Sequence, residues 1–351
     1  MELNREEIVG LLRETSEARL SDLWRRADTA RQRNVGGEVY LRGLIELSNY
    51  CVRLCAYCGL RAANSGITRY RMSADEVLQC ARLAVSFGYG TVVLQSGEDP
   101  GLTRDGVADI VRRIKAETPL AVTLSLGERA DEELLAWKQA GADRYLLRFE
   151  TSNQELYDRI HPPRPGQASD RVAMLGRLRQ MGYEIGSGVM IGIPGQTYDD
   201  LAGDLLAFAE LDLNMIGVGP YLPHPETPLG NPDAPPPDAG AEQVPNDELT
   251  TYKTIALTRL VCPKANIPST TALATLNKRE GRELGLVRGA NIVMPNLTPP
   301  KYRVHYEIYP NKACLLETAD ACSQCLHGRI VSLGRTVGAG RGDSPSFLDR
   351  V

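Results

Sequence analysis

Short apolar runs rich in Val, Ile and Leu recur along the chain, with room for one amphipathic helix between each pair. Eight of them read as strands: 39–47, 91–95, 121–126, 144–149, 186–191, 215–219, 266–270 and 290–294. The segments between them carry helical periodicity. After the first strand, Ser73 and Glu76 form a capping-box pair, Val77, Ala81, Ala84 and Val85 share one face, and Gly88 supplies a stop. After the fifth, Thr197 and Asp200 open a helix whose Leu201, Leu205 and Phe208 repeat at core spacing. Strand and helix alternating eight times is the pattern of a closed parallel (β/α)8 TIM barrel, an α/β fold. The 266–270 run is the weakest strand, because Pro268 removes a backbone donor from its middle.

Helical periodicity from about Arg5 to Arg31 puts N-terminal helices in 1–34, ahead of a barrel over 35–333. The Gly- and Arg-rich stretch within 334–351 reads as an extended C-terminal tail. Nine of the 22 prolines fall between Pro220 and Pro245, in a loop without periodicity whose first part is expected to cover the barrel mouth.

Charge narrows the partners. With 44 acidic and 40 basic residues, a net charge of -4 and no basic block, the chain has no electrostatic support for nucleic-acid binding, so a small-molecule substrate is expected. The first twenty residues are charged throughout and no apolar run reaches about 18 residues, which points to a cytoplasmic protein without a membrane partner. Eight cysteines in such a chain argue for metal or redox chemistry rather than disulfides. Cys80 and Cys262 stand alone in helical patterns and read as small buried apolar side chains.

The remaining six form two groups. Cys51, Cys55 and Cys58 stand in C-x3-C-x2-C spacing directly after the first strand. Three thiolates on one tight loop suit three corners of an iron-sulfur cubane and leave the fourth iron open to a small molecule. The competing reading is structural zinc, which wants four ligands; His161, His224, His305 and His327 are all distant in sequence. In a parallel barrel the loops after the strands converge at one face, and here nearly every such loop supplies a donor, an acceptor or a glycine. Arg148 and Glu150 flank Phe149 at a strand end, so alternation sends both to one side, toward the barrel interior or mouth. Their structural alternative is an ion pair with neighbours such as Asp143 or Arg171. The second group, Cys314, Cys322 and Cys325, reads equally as an auxiliary cluster, a zinc site completed by His327, or unligated thiols.

With Tyr57 before its last cysteine, the triplet matches C-x3-C-x-aromatic-C, and the chain resembles the radical S-adenosylmethionine (SAM) superfamily. That resemblance implies a 4Fe-4S cluster whose open iron is chelated by SAM, with reductive cleavage to methionine and a 5'-deoxyadenosyl radical. Gly97-Glu98-Asp99 is similar to the segment that meets the methionyl amino group, and Gly188-x-Met190-x-Gly192 to the one that packs on adenine. Within the superfamily, the strings 69–72, 93–100, 123–128, 143–148, 192–197 and 294–296 resemble the HydE-type iron-iron hydrogenase maturases, a group close to biotin synthase and methylornithine synthase. Strands three to five lack the cysteines that biotin synthase uses for a second cluster, which disfavours sulfur insertion.

The resemblance implies that Tyr57, Gln95, Gly97, Glu98, Ser125, Glu150, Arg171 and Met190 bind cofactor. Arg148, Arg171, Thr270, Thr271, Met215, Met294 and Tyr306 are implied to bind or line the substrate cavity. It further implies a small anionic substrate, a cysteine-bound iron carbonyl-cyanide complex. The implied partners are other hydrogenase maturases and an electron donor such as ferredoxin or flavodoxin, under anaerobic conditions. An amino-acid mutase like methylornithine synthase and a simple electron-transfer or structural iron-sulfur protein are the alternatives.

Overall fold

In the computed structural model, which describes residues 3–164, 166, 169–231, 242–315 and 317–350, strands and helices alternate along the chain. Helices α1 (Arg5–Arg13) and α2 (Glu17–Val35) precede β1 (Glu38–Ser48). Then follow α3 (Ala74–Ser86), β2 (Thr91–Ser96), α4 (Arg104–Glu117), β3 (Ala121–Ser125), α5 (Asp131–Gln139), β4 (Arg144–Leu146), α6 (Gln154–Ile160), α7 (Arg171–Gln180), β5 (Glu184–Ile191), α8 (Tyr198–Glu210) and β6 (Met215–Pro220). The last part holds α9 (Glu248–Val261), α10 (Thr271–Leu276), α11 (Gly281–Leu286), β7 (Ile292–Val293), α12 (Pro300–Arg303), α13 (Ala319–Ser332), β8 (Thr336–Val337) and α14 (Pro345–Leu348).

The parallel sheet runs β6-β5-β4-β3-β2-β1-β7, with β8 beside the start of β1. The gap between β6 and β7 is filled by residues 266–268, where Met215 bridges Asn266 and Pro268 bridges Ile292. Ile216 N–H donates to Asn266 O at 2.9 Å and Ser269 N–H to Ile292 O at 2.9 Å. The barrel therefore closes through a broken eighth strand, as short as a proline without an N–H dictates. Ile45, Leu47, Val92, Leu94, Val122, Leu124, Tyr145 and Ile185 point outward into the core under the helices. Their alternates Leu44, Val93, Leu146 and Met215 are buried outside that core, inside the barrel.

Local chemistry sets the helix ends. Ser73 and Glu76 cap α3 reciprocally, and Gly88 closes it at φ +74°. Val77, Ala81 and Ala84 are buried, whereas Val85 is exposed and Leu78 completes the face. Thr197 and Asp200 cap α8 in the same way, and its Leu201, Leu205 and Phe208 are fully buried. Cys80 and Cys262 are buried free thiols.

The tail seals the N-terminal end of the barrel. β8 pairs Thr336 with Glu38, and the chain then crosses the floor. Arg42 donates to Gly342 O at 2.8 Å, and Thr91 Oγ1 to Arg341 O at 2.8 Å. Buried Arg144 pairs with both Glu184 of β5 and Asp343 of the tail. Residues 232–241 of the proline-rich loop lie outside the described residues. Its first part docks on the cysteine loop, with Leu229 N–H bonded to Ala56 O at 3.0 Å. Among the described residues, no helix is long and apolar enough to cross a membrane.

Candidate active site

The loop leaving β1 is folded by its own polar groups. Arg69 donates to the carbonyls of Leu60 (2.9 Å), Arg61 (2.9 Å) and Asn64 (3.1 Å), gathering the turn that carries the cysteines. Asn49 accepts from Tyr70 N at 2.7 Å and donates to Thr68 O at 2.8 Å, which pins the return of the loop. Neighbouring loops hold it from outside: Val52 N–H bonds Glu98 O at 3.0 Å, and Ala56 N–H bonds Ile160 O at 2.8 Å. A Cβ at Gly97 would stand 2.3 Å from Tyr50 O and 2.7 Å from Cys51 Cβ, so glycine is required for this approach.

Cys55 is buried, and Cys51 and Cys58 are half-buried. Burial pushes the Cys51 thiol up, Cys55 well up and Cys58 up to about 12, and repulsion from the neighbouring cysteines adds to the effect at Cys55 and Cys58. Three desolvated thiols of this kind become thiolates together when a cationic centre compensates them. Three thiols on one loop, with no fourth cysteine nearby in the sequence, fit a multi-iron cluster with one open corner.

Beside the cysteines lies a buried ion network. Arg53, from within the triplet, pairs with Glu98 and, at 2.8 Å, with Glu128. Arg171, at the start of α7, reaches Glu98 (3.2 Å), Glu128 (3.0 Å), Arg148 O (2.6 Å) and His161 Nε2 (2.6 Å). Because a guanidinium only donates, His161 Nε2 is the acceptor and Nδ1 carries the proton. Burial first, then Arg171 and Arg53, push the His161 pKa down to about 3, so the imidazole is neutral. Arg53 Nη1 and His161 Nδ1 are buried donors without a protein partner. Polar atoms left open this way suit a site completed by a polar ligand or water.

Glu150 follows β4 in the left-handed region at φ +65°, an uncommon conformation for a residue with a side chain. Its backbone is fixed to β5 through Gly188 O and Met190 N, both at 3.1 Å. Arg148 Nε donates to both its oxygens at 3.0 and 3.1 Å, while Nη1 and Nη2 bond Gly217 O (2.9 Å) and Val189 O (2.7 Å). The partner of Arg148 is thus Glu150 itself; Asp143 pairs with Lys115 and Arg341 on the far side.

Most of the sequence-predicted residues meet at this end of the barrel. Tyr57 and Met190 share a small apolar cluster with Ile193 and Tyr221. Gln95 lies between Glu46 and Ser125 in register and donates to the Tyr306 hydroxyl at 3.2 Å. Thr270 caps α10, and its Oγ1 lies 3.1 Å from where a Cβ on Gly219 would stand; Thr271 follows as the first helical residue. Met294 directly follows β7. Met215 sits lower, at the start of β6, where its sulfur accepts from Arg42. Asp99 is committed to Ser48 (2.6 Å) and Arg71 (2.6 Å), and so braces the loop.

The second cysteine group lines a separate cavity of about 250 Å3, together with Lys312 and Arg282. There Cys314, Cys322 and Glu317 place ligand atoms within 4.8 Å of one another. Sequence reasoning missed Glu317, Arg53, Glu46, Lys312 and the role of His161. Only Arg53 left a signal, its place between two cysteines.

The family model for the radical SAM superfamily matches residues 45–207. The FeFe hydrogenase maturase subunit HydE of Thermotoga maritima is 46% identical over 329 residues, covering 94% of this chain and 90% of that one. The 3-methylornithine synthase of Methanosarcina acetivorans is 30% identical over 295 residues, covering 83% and 79%. The crystal structure of methylornithine synthase (PylB) superposes with a TM-score of 0.81 at 26% identity, covering 96% of this chain and 95% of that one.

Proposed function

The chain belongs to the HydE family of the radical SAM superfamily, and from that premise we propose how its barrel mouth serves hydrogenase maturation. It is a radical SAM enzyme that acts with other maturases in assembling the iron-iron hydrogenase cofactor. Cys51, Cys55 and Cys58 hold the 4Fe-4S cluster, and SAM occupies the position that their three thiolates leave open. When bound, cluster and SAM supply a one-electron reductive cleavage that gives methionine and a 5'-deoxyadenosyl radical.

The protein's part is binding, orientation and exclusion of water. Tyr57 and Met190 flank the adenine in their shared apolar cluster. Glu150, held by Arg148 and by its fixed backbone, accepts from the SAM ammonium. Arg171 bears on the carboxylate, and the network of Arg53, Glu98, Glu128 and neutral His161 keeps it in place. Gln95, Gly97, Glu98 and Ser125 complete the cofactor wall. Arg148, Thr270 and Thr271 receive a small anionic substrate against Tyr306 and Met294, with Met215 below. That substrate is a cysteine-bound iron carbonyl-cyanide precursor supplied by a partner maturase, and ferredoxin or flavodoxin delivers the electron. The observation that carries this reading is three desolvated thiols on one loop, with Glu150 of the Arg148–Glu150 pair close enough to raise the Cys58 thiol further.

The likeness to methylornithine synthase in sequence and fold favours a second reading, an amino-acid mutase whose arginines hold the substrate carboxylate. Anaerobically reconstituted protein given SAM and dithionite is offered either the iron complex or lysine. The maturase reading expects the complex to be consumed and lysine to be recovered. Conversion of lysine to a methylornithine overturns it.

A further inference from the structure

Residues 305–314 leave α12 and run across the barrel mouth to the second cysteine group. At one end Asn49 of the cysteine loop donates to His305 O at 2.7 Å, and Gly59 N–H to Ile308 O at 3.0 Å. At the other, Ala313 N–H bonds Thr275 Oγ1 at 3.0 Å, whose hydroxyl bonds Thr271 O at 2.9 Å on the helix that begins at the substrate threonines. Arg303 joins Cys314 O (2.9 Å) to Asn296 O (3.1 Å) from below. The segment thus spans from the cluster loop to the substrate helix. It holds two non-glycine residues in the left-handed region, Asn311 at φ +56° and Cys314 at φ +63°, so its shape is imposed by these anchors.

Its central anchor is Lys312. Lys312 is among the residues that line the second cysteine cavity, and its ammonium pairs with Glu46, a fully buried carboxylate on β1. The other Glu46 oxygen accepts from Asn296 Nδ2 at 3.0 Å. The same ammonium lies 5.1 Å from the centre of the buried Tyr306 ring, whose hydroxyl accepts from Gln95. A buried ion pair adds little net stability over an apolar pair of the same volume, so its presence at the reaction end calls for another reason. Fixing Tyr306 and the segment above it is such a reason.

We propose that Lys312 is a positioning residue: anchored on Glu46, it seats residues 305–314 as a roof over the barrel mouth and sets the Tyr306 ring against the substrate. This rests on the reaction proposed above. The test compares Lys312→Met, Lys312→Arg and the double variant Glu46→Gln/Lys312→Met, because the single loss strands a buried carboxylate whereas the double removes both charges. Each is reconstituted and given SAM, dithionite and the cysteine-bound iron carbonyl-cyanide complex. KM and kcat for the complex are measured, together with 5'-deoxyadenosine formed per complex consumed.

The expected result is a KM raised about tenfold or more in Lys312→Met and in the double variant, with excess 5'-deoxyadenosine per turnover, and recovery of most of the loss in Lys312→Arg. A folded double variant with the wild-type KM and stoichiometry overturns the proposal while leaving the reaction intact. A wild-type protein that cleaves SAM without consuming the complex overturns the substrate assignment, and the role of Lys312 falls with it.

Discussion

Arg53 shows how one side chain joins three loops: it stands between Cys51 and Cys55, and its guanidinium holds Glu98 after β2 and Glu128 after β3. His161 lies against the same network and stays neutral, with a pKa of about 3 in the folded state against 6.5 in the free side chain. As pH falls below 6.5 the unfolded chain takes up a proton that the native state refuses. The stability tied to this site is therefore complete above pH 6.5 and is lost as pH falls toward 3. Between pH 6.5 and 5 the loss amounts to roughly 2 kcal/mol. Urea unfolding at the two pH values should show it in the wild type and show a flatter dependence in His161→Gln; equal slopes would contradict the account. That Arg148 and Glu150 stand together at this end of the barrel was legible from their i, i+2 spacing, although Glu150 leaves the strand conformation at φ +65°. The partners of Arg53 and Lys312 were not, because they lie on other strands and no local pattern encodes them.

At the scale of elements, β1 to β6 were legible because their apolar runs alternate with amphipathic helices, and β7 as a shorter piece of its run. The 266–268 bridge is weak in sequence and weak in structure for one reason, the missing donor of Pro268. β8 was invisible, since two residues carry no periodicity and its partner is the start of β1. The junction of the cysteine loop with β2 depends on Gly97. Replacement by Ala places a methyl against Tyr50 O and Cys51 Cβ, and the loop must move away. Iron bound after reconstitution should fall several-fold while the far-UV circular dichroism stays that of the wild type; full iron loading would show the contact to be tolerant. The element bearing the second cysteine group is joined to the mouth by residues 305–314 but supplies no ligand to the first. Cys322→Ser should therefore still form 5'-deoxyadenosine from SAM, and loss of cleavage would reverse the ranking of the two sites.

Taken whole, the molecule is a barrel with different ends. The floor is closed by the tail through Arg42, Arg144 and Ser344, and the mouth gathers the thiols, the ion network, Thr270 and Thr271. Truncation after Val337 removes Asp343 from Arg144 and the Gly342 carbonyl from Arg42. With two arginines left short of partners, unfolding free energy should drop by about 3 kcal/mol or more, read from the denaturant midpoint. An unchanged midpoint would mean that the floor is held without the tail. The central claim is that Cys51, Cys55 and Cys58 grip a cluster whose open iron takes SAM. It is tested most directly by electron paramagnetic resonance of the reduced, anaerobically reconstituted protein before and after SAM, beside a Cys55→Ala variant. The account predicts a 4Fe-4S signal that shifts when SAM is added to the wild type and is lost from that site in the variant. Zinc in place of iron, or a signal indifferent to SAM, would contradict it.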